Sequence, residues 1–257
     1  MNIVPKNIIR TIFKFFKSFL DDDTTYYAAS LSFFTIFSFL PIIALLIAFI
    51  SYFNILSPYS SVITNFIIEN LNPTNSSLFT QLVEKFLSNT NSLGSLGIWY
   101  MLFIFIMFFK DYEYIISKLH KTKKRKIYIS FFIYLIVLLL LPIIFIVIIY
   151  ILKLSHIPFI NSVIPYLMSW LFFIIVFKIS VNKQTALKPL LISSFVTMIA
   201  LNITKTLFIL YIVYNQTYTT IYGSFSTALF FFLWIYISWV IYLYGIKIFY
   251  TLNTTNK

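Results

Sequence analysis

Residues 127–152 read IYISFFIYLIVLLLLPIIFIVIIYIL without one Asp, Glu, Lys or Arg, and the nine residues before them, 118–126, read KLHKTKKRK. A helix crosses a bilayer core with about 20 apolar residues. A strongly basic segment beside such a run marks a loop on the cytoplasmic side. The pattern recurs along the chain. Residues 24–68, 86–109 and 154–177 also lack charge, and 189–246 carry a single charged side chain, Lys205. No soluble domain needs five such stretches, so the chain reads as an integral membrane protein.

Composition agrees. Hydrophobic residues make up 60% and charged residues 10%, against about 25% charged in soluble proteins. A length of 257 residues suits one bundle of roughly five to seven spans and leaves no room for a separate soluble enzyme domain. Cysteine is absent, which excludes disulfides, thiolate chemistry and Cys-based metal sites. The two histidines, His120 and His156, fall in different loops separated by a whole apolar span. No metal, cofactor or catalytic residue is therefore expected. The net charge of +12 reads as topology and attraction to anionic lipid headgroups, not as nucleic-acid binding.

The N-terminal segment lacks the apolar core and small-residue site of a cleavable signal peptide. Lys6, Arg10, Lys14 and Lys17 instead recur opposite Ile9, Ile12, Phe13, Phe16 and Leu20. That spacing predicts an amphipathic helix over 1–23, on the cytoplasmic membrane surface or against the bundle. Asp23 or Thr24 would cap the next helix.

Six spans are expected, at about 26–52, 96–114, 127–152, 162–180, 187–213 and 225–251, with 252–257 a cytoplasmic tail. The gaps assigned to the cytoplasm hold fifteen Lys and Arg; the opposite gaps hold two, Lys85 and Lys153. Such a bias places both termini inside and requires an even number of spans. The expected fold is an all-α six-helix transmembrane bundle. The outer segment 54–93 predicts two short amphipathic helices that cap the bundle or plug it. Pro41 and Pro142 fall within spans and should kink their helices.

The few charges that break the pattern are the candidate site. Lys205 lies about 12 Å deep in its span at 1.5 Å per residue, with Asn202 one turn away. A charge at that depth costs about 2.5 kcal/mol or more unless it faces a polar interior. It either serves packing or lines a path for an anionic group or a proton. Asp111 and Glu113 sit with Lys110 at the inner end of the second span. Lys110 and Glu113 have the spacing to pair, while Asp111 points toward another helix. Ser32, Thr35 and Ser38 repeat with Ala28 along the first span, as close packing or as a polar pathway. Lys121, Lys123, Lys124, Arg125 and Lys126 form a solvated loop able to bind anionic headgroups.

Three segments, DDDTTYYAASLSFFTIFSFLPIIALLIAF at 21–49, FLSNTNSLGSLGIWYMLFIFIMFFKDYEYIISKLHKTKKRKIY at 86–128 and YGSFSTALFFFLWIYISWVIYLYGIKI at 222–248, resemble in order and spacing the YihY/BrkB family of bacterial inner-membrane proteins. The resemblance covers nearly the whole chain. It implies six spans with both termini inside, and a multi-pass protein of the cytoplasmic membrane. Family members have been linked to ion or proton antiport, lipid export and serum resistance; an older ribonuclease BN label is considered a misassignment. The family's Asp in the second span matches Asp111 and its Lys in the fifth matches Lys205. The Asn and Trp that follow the Asp are replaced here by Ile115 and Lys118. A frequent acid in the fifth span reads Asn202, and a closing Gly-Ala-Glu reads Gly245-Ile246-Lys247. These departures weaken any mechanism that needs several membrane carboxylates.

No phosphate loop, His-Glu-x-x-His or nucleophile elbow is present in the sequence, so the chain does not read as an enzyme. The expected function is translocation of an ion, by proton-coupled antiport, or of an anionic lipid-like substrate. The alternative is a non-transporting scaffold in envelope assembly; a membrane-associated ribonuclease is third. The sequence leaves the oligomeric state open.

Overall fold

The computed structural model describes residues 22–52, 80–81, 84–85, 94–153, 158–215, 217–223 and 225–255. Every regular element among them is helical: α1 (Asp22–Tyr52), α2 (Gly94–Leu119), α3 (Ile127–Lys153), α4 (Pro158–Ser180), α5 (Leu187–Tyr214), the short α6 (Thr217–Tyr222) and α7 (Phe225–Thr255). The surface helix expected at 1–23 and the outer helices expected within 54–93 fall outside the described residues, apart from helical pieces at 80–81 and 84–85.

The helices follow the apolar runs and overshoot them. α1 already includes Asp22, so Asp23 and Thr24 lie in its first turn instead of capping it. Carboxylates there face the positive end of the helix dipole. α1 runs on through Pro41, and α3 is continuous across position 142. α4 opens on Pro158, whose fixed φ suits a first turn. α6 is an addition to the expected order. The Asn215 side chain accepts the Thr217 amide at 3.3 Å and starts α6. Gly223 ends the connection at φ +53, a conformation that suits a residue without Cβ.

By length and composition, three helical segments among the described residues can cross a membrane: Val163–Ser180, Leu187–Tyr214 and Phe225–Thr254. Ile127–Leu141 is a shorter apolar helix. Their surfaces invert the soluble pattern. On α5, Ser193, Ser194 and Thr197 are buried while Leu191, Ile192, Phe195, Val196 and Ile199 are exposed. Each buried hydroxyl donates to a carbonyl of its own helix: Ser193 to Pro189, Ser194 to Leu190, and Thr197 to Ser193. Apolar residues outward and small hydroxyl residues inward are what a helix wants when its solvent is lipid.

The six long helices form a ring in the order α1, α2, α3, α4, α5, α7 and back to α1, with α3 the most loosely attached member. The main core joins α1, α2, α4 and α7 through Leu31, Ile116, Phe177, Leu243, Ile246 and Phe249. The basic connections gather at one end of the ring. The Asn182 side chain donates to the Lys123 carbonyl at 3.2 Å, and the Ala186 amide to Asn253 Oδ1 at 3.2 Å. Lys121 lies over the Tyr250 ring and Lys118 over the Tyr27 ring. The start of α1, the 120–126 loop, the 181–186 loop and the end of α7 thus share one end.

α5 and α7 approach closely at Gly245. A Cβ there would collide with Thr197 Oγ1 and come within 2.9 Å of the Phe177 ring. Gly245→Val should destabilise by about 1–3 kcal/mol, the usual range for overpacking, read as a lower melting temperature in detergent. Thr197→Ala should be mild alone and recover part of that loss in the double variant. A Gly245→Val protein that melts with wild type would contradict this contact.

Candidate functional site

The basic end is held by a buried ion pair. Glu113, near the end of α2, is 6% exposed at its side chain and Arg125 is 11% exposed. Arg125 Nη1 approaches Glu113 Oε2 at 3.5 Å, and the Arg125 backbone amide donates to Oε1 at 3.1 Å. Tyr134 of α3 donates its hydroxyl to Oε2 at 2.8 Å. Arg125 Nη2 then donates to the Ile179 carbonyl of α4 at 2.6 Å. One carboxylate and one guanidinium therefore tie together α2, α3, α4 and the basic loop. This geometry replaces the expected Lys110–Glu113 pairing; Lys110 is exposed. It also separates Arg125 from Lys121, Lys123, Lys124 and Lys126: all four lysines are exposed and Arg125 turns inward.

Asp111 meets α1, where Ser30 donates to its Oδ2 at 2.7 Å. Along α1, Ser32 donates to the Ala28 carbonyl and Thr35 to the Leu31 carbonyl, and Ser38 lies 3.3 Å from the Thr35 carbonyl. Of these three, Thr35 also bonds a neighbouring helix: Trp239 Nε1 of α7 donates to its Oγ1 at 2.8 Å. Asn202 donates to the Met198 carbonyl of its own helix. Lys205 is partly exposed on α5, one turn beyond Leu201. The structure brings Asp111 and Glu113 to one region and leaves Lys205 and Asn202 elsewhere.

Two cavities flank the ion pair. Inside the ring lies a space of about 490 Å³, lined on one side by Val137, Leu138 and Leu141 of α3 and on the other by Phe172, Phe173 and Val176 of α4. Leu201 also lines it; Lys205 does not. Its polar atoms come from Thr35, Ser238, Trp239 and a hydroxyl cluster in which Tyr112 hydrogen-bonds both Ser180 and Tyr242. The second space, about 330 Å³, is a groove at the basic end with Lys110, Asp111, Glu113, Lys124 and Arg125 in its walls. Phe109 borders both. Its ring stacks on Tyr134 at 4.6 Å and 13°, so that stack, pinned by the Tyr134–Glu113 bond, separates groove from interior.

The tyrosine cluster and the inward turn of Arg125 were not among the expected site residues. Tyr112, Tyr134 and Tyr242 are three of nineteen tyrosines, and nothing in their spacing sets them apart. Arg125 did carry a signal. It is one of two arginines in the chain, among five lysines in its own segment, and a planar guanidinium suits buried carboxylate pairing better than an ammonium.

His120 lies just beyond α2 and is buried. Its ring packs on Phe249 and Tyr250 at 5.1 and 5.5 Å, and its Nε2 has no hydrogen-bond partner among the described residues. Burial holds the imidazole down to about 4; its hydrogen bond to the Ile246 backbone carbonyl opposes this and Lys183 reinforces it.

Arg125→Met should cost about 3–5 kcal/mol, because Glu113 is left buried and unpaired, whereas Lys124→Met should change stability little. Pairing it with Glu113→Met should restore much of the loss; equal melting temperatures for Arg125→Met and Lys124→Met would contradict the ion pair. For His120 the unfolded value is about 6.5. Because the folded value is lower, the unfolded chain binds more protons between pH 6.5 and 4. The stabilisation is thus complete above pH 6.5 and falls as pH drops, by about 1.4 kcal/mol per unit. His120→Phe should flatten the decline in melting temperature between pH 7 and 5; an unchanged slope would refute it.

The chain matches the family model described as "Virulence factor BrkB" over residues 15–257. It is 28% identical over 243 residues to a UPF0761 membrane protein of Pseudoalteromonas translucida, covering 89% of this chain and 81% of that one. It is 27% identical to a UPF0761 membrane protein of Alteromonas mediterranea, covering 95% of this chain and 87% of the other. With the Haemophilus influenzae relative the identity is 25%, and the match covers 93% of each. No solved structure matches the chain. A match over nearly the whole length, to proteins themselves named membrane proteins, settles the kinship: the chain belongs to the virulence factor BrkB family of membrane proteins.

Proposed function

We propose that this membrane protein spans the bacterial inner membrane six times, with both termini in the cytoplasm, and translocates a lipid-like amphiphile across it. The observation that carries the reading is the interior cavity of about 490 Å³ between α3 and α4. Among the described residues, no Asp, Glu, Lys, Arg or His lines it. A wall of Val, Leu, Phe and Ile suits an acyl chain and offers a hydrated ion little to replace its water. The hydroxyl and indole groups at its edge suit the ester or polar end of such a molecule. The loosely attached α3 supplies a seam through which a lipid could enter sideways. The anionic class of substrate is an expectation from the basic end of the ring, where Lys121, Lys123 and Lys126 are exposed.

The gathering of the basic loops, the start of α1 and the end of α7 at one end supports the topology. It is the arrangement that the charge bias requires if that end faces the cytoplasm. Lys205, one turn beyond cavity-lining Leu201, is proposed to act on the substrate's polar part during passage. We assign no enzymatic step. Glu113 is committed to Arg125 and Tyr134, and Asp111 is engaged by Ser30. A scaffold for envelope assembly has no use for an open interior.

Reconstitution into liposomes tests this. Fluorescent-lipid flipping should exceed that of protein-free vesicles and fall strongly in Val137→Trp, which fills the cavity, and in Lys205→Met. Both variants should retain wild-type levels of folded protein. Cation flux coupled to a pH gradient, without flipping, would replace this reading with antiport. No activity in either assay would replace it with the scaffold.

A further inference from the structure

The geometry points to a specific phospholipid site outside the interior cavity: the groove formed by α1, α2 and α3 at the basic end, which we infer binds one zwitterionic aminophospholipid. The groove has two kinds of wall. Phe34, Ile106, Met107 and Phe131 make one side apolar, and Lys110, Asp111 and Lys124 make the other charged. Glu113 and Arg125 also border it but satisfy each other. The charges left for a ligand are therefore two ammonium groups and one carboxylate.

That set is complementary to a phosphodiester beside a primary ammonium. Lys110 is exposed, and Lys124, which lies 4.0 Å from the Tyr114 ring centroid, is exposed as well. Both can reach a phosphate at the membrane surface. Asp111 gives one oxygen to Ser30 and retains acceptor capacity for the N–H donors of an ethanolamine-type head. Ser130 adds a second, independent indication. It is 2% exposed, borders the groove, and its hydroxyl has no partner among the described residues. A buried hydroxyl without a partner costs free energy, and a phosphate or ester oxygen in the groove would satisfy it.

The mixed charge also discriminates. A purely anionic lipid can use the two lysines but brings no ammonium to pair with Asp111. A choline head has no N–H to donate to Asp111. A volume of about 330 Å³ equals some ten waters at about 30 Å³ each, which is headgroup-sized. The acyl chains would run out along the apolar wall into the bilayer. This site does not depend on translocation, since a lipid bound there can be resident or in transit.

Native mass spectrometry of the full chain in detergent, titrated with phosphatidylethanolamine, phosphatidylglycerol and phosphatidylcholine of matched acyl chains, tests the site. The first ethanolamine lipid should bind about fivefold tighter than the other two, the scale of one partly exposed ion pair. Asp111→Asn should erase that preference. Ser30→Ala removes the hydrogen bond to Asp111 but not its charge, and should keep the preference; this separates recognition from loss of fold. Lys110→Met with Lys124→Met should weaken all three lipids, and Lys121→Met with Lys123→Met should weaken none. Equal affinity for the three lipids in wild type, or equal effects of the two lysine pairs, would reduce the site to diffuse attraction and overturn the proposal. Displacement of the lipid by inorganic phosphate alone would overturn it in favour of a free-anion site.

Discussion

The Glu113–Arg125 pair is the contact on which the basic end of the ring depends. A buried carboxylate is tolerable only when it is paired and hydrogen-bonded, and here both conditions hold through groups from three helices and a loop. The pair does more than offset its own burial. By accepting from Tyr134 it fixes the ring that stacks on Phe109, and so closes the interior from the basic groove. By carrying Arg125 to the Ile179 carbonyl it brings α4 to the loop that joins α2 and α3. α3 has few other attachments, so without the pair its basic end would have little to hold it.

Away from that end the forces differ. Lipid gives no hydrophobic drive for helices to associate, so close packing and hydroxyl contacts carry the burden. Gly245 against Thr197 and Phe177, Trp239 on Thr35, and Trp170 Nε1 on Ser194 at 3.0 Å are contacts of that kind. They hold α1, α4, α5 and α7 tightly. The loosest seam is left where α3 meets α4, beside the cavity. Five well-packed helices with one weakly attached member are the arrangement on which the proposed sideways entry of a lipid rests.

The helices were legible because they follow directly from solvent. Residues 127–152 carry no Asp, Glu, Lys or Arg, and α3 begins at Ile127. The spread of lysines told which loops belong together, and the 120–126 and 181–186 loops do meet. Finer features were hidden because they depend on partners distant in sequence. Tyr112 and Tyr242 are 130 residues apart, and no periodicity links them. Arg125 looked like one more cation in a basic run until Glu113 was placed beside it. The place of Lys205 within an apolar run was evident from the sequence, but its offset from the cavity was not, since that depends on how α5 is rotated.

The central claim is that the ring encloses a space filled by lipid chains. The chain has no cysteine, so one can be introduced at Leu201 and labelled with a nitroxide in nanodiscs, with exposed Leu207 as reference. Collision with oxygen should be high and close to that at position 207, and collision with a water-soluble nickel chelate should be low. A label at 201 that meets neither reagent would mean a dry, packed interior. One that meets the chelate would mean a water-filled path. Either result would contradict the account.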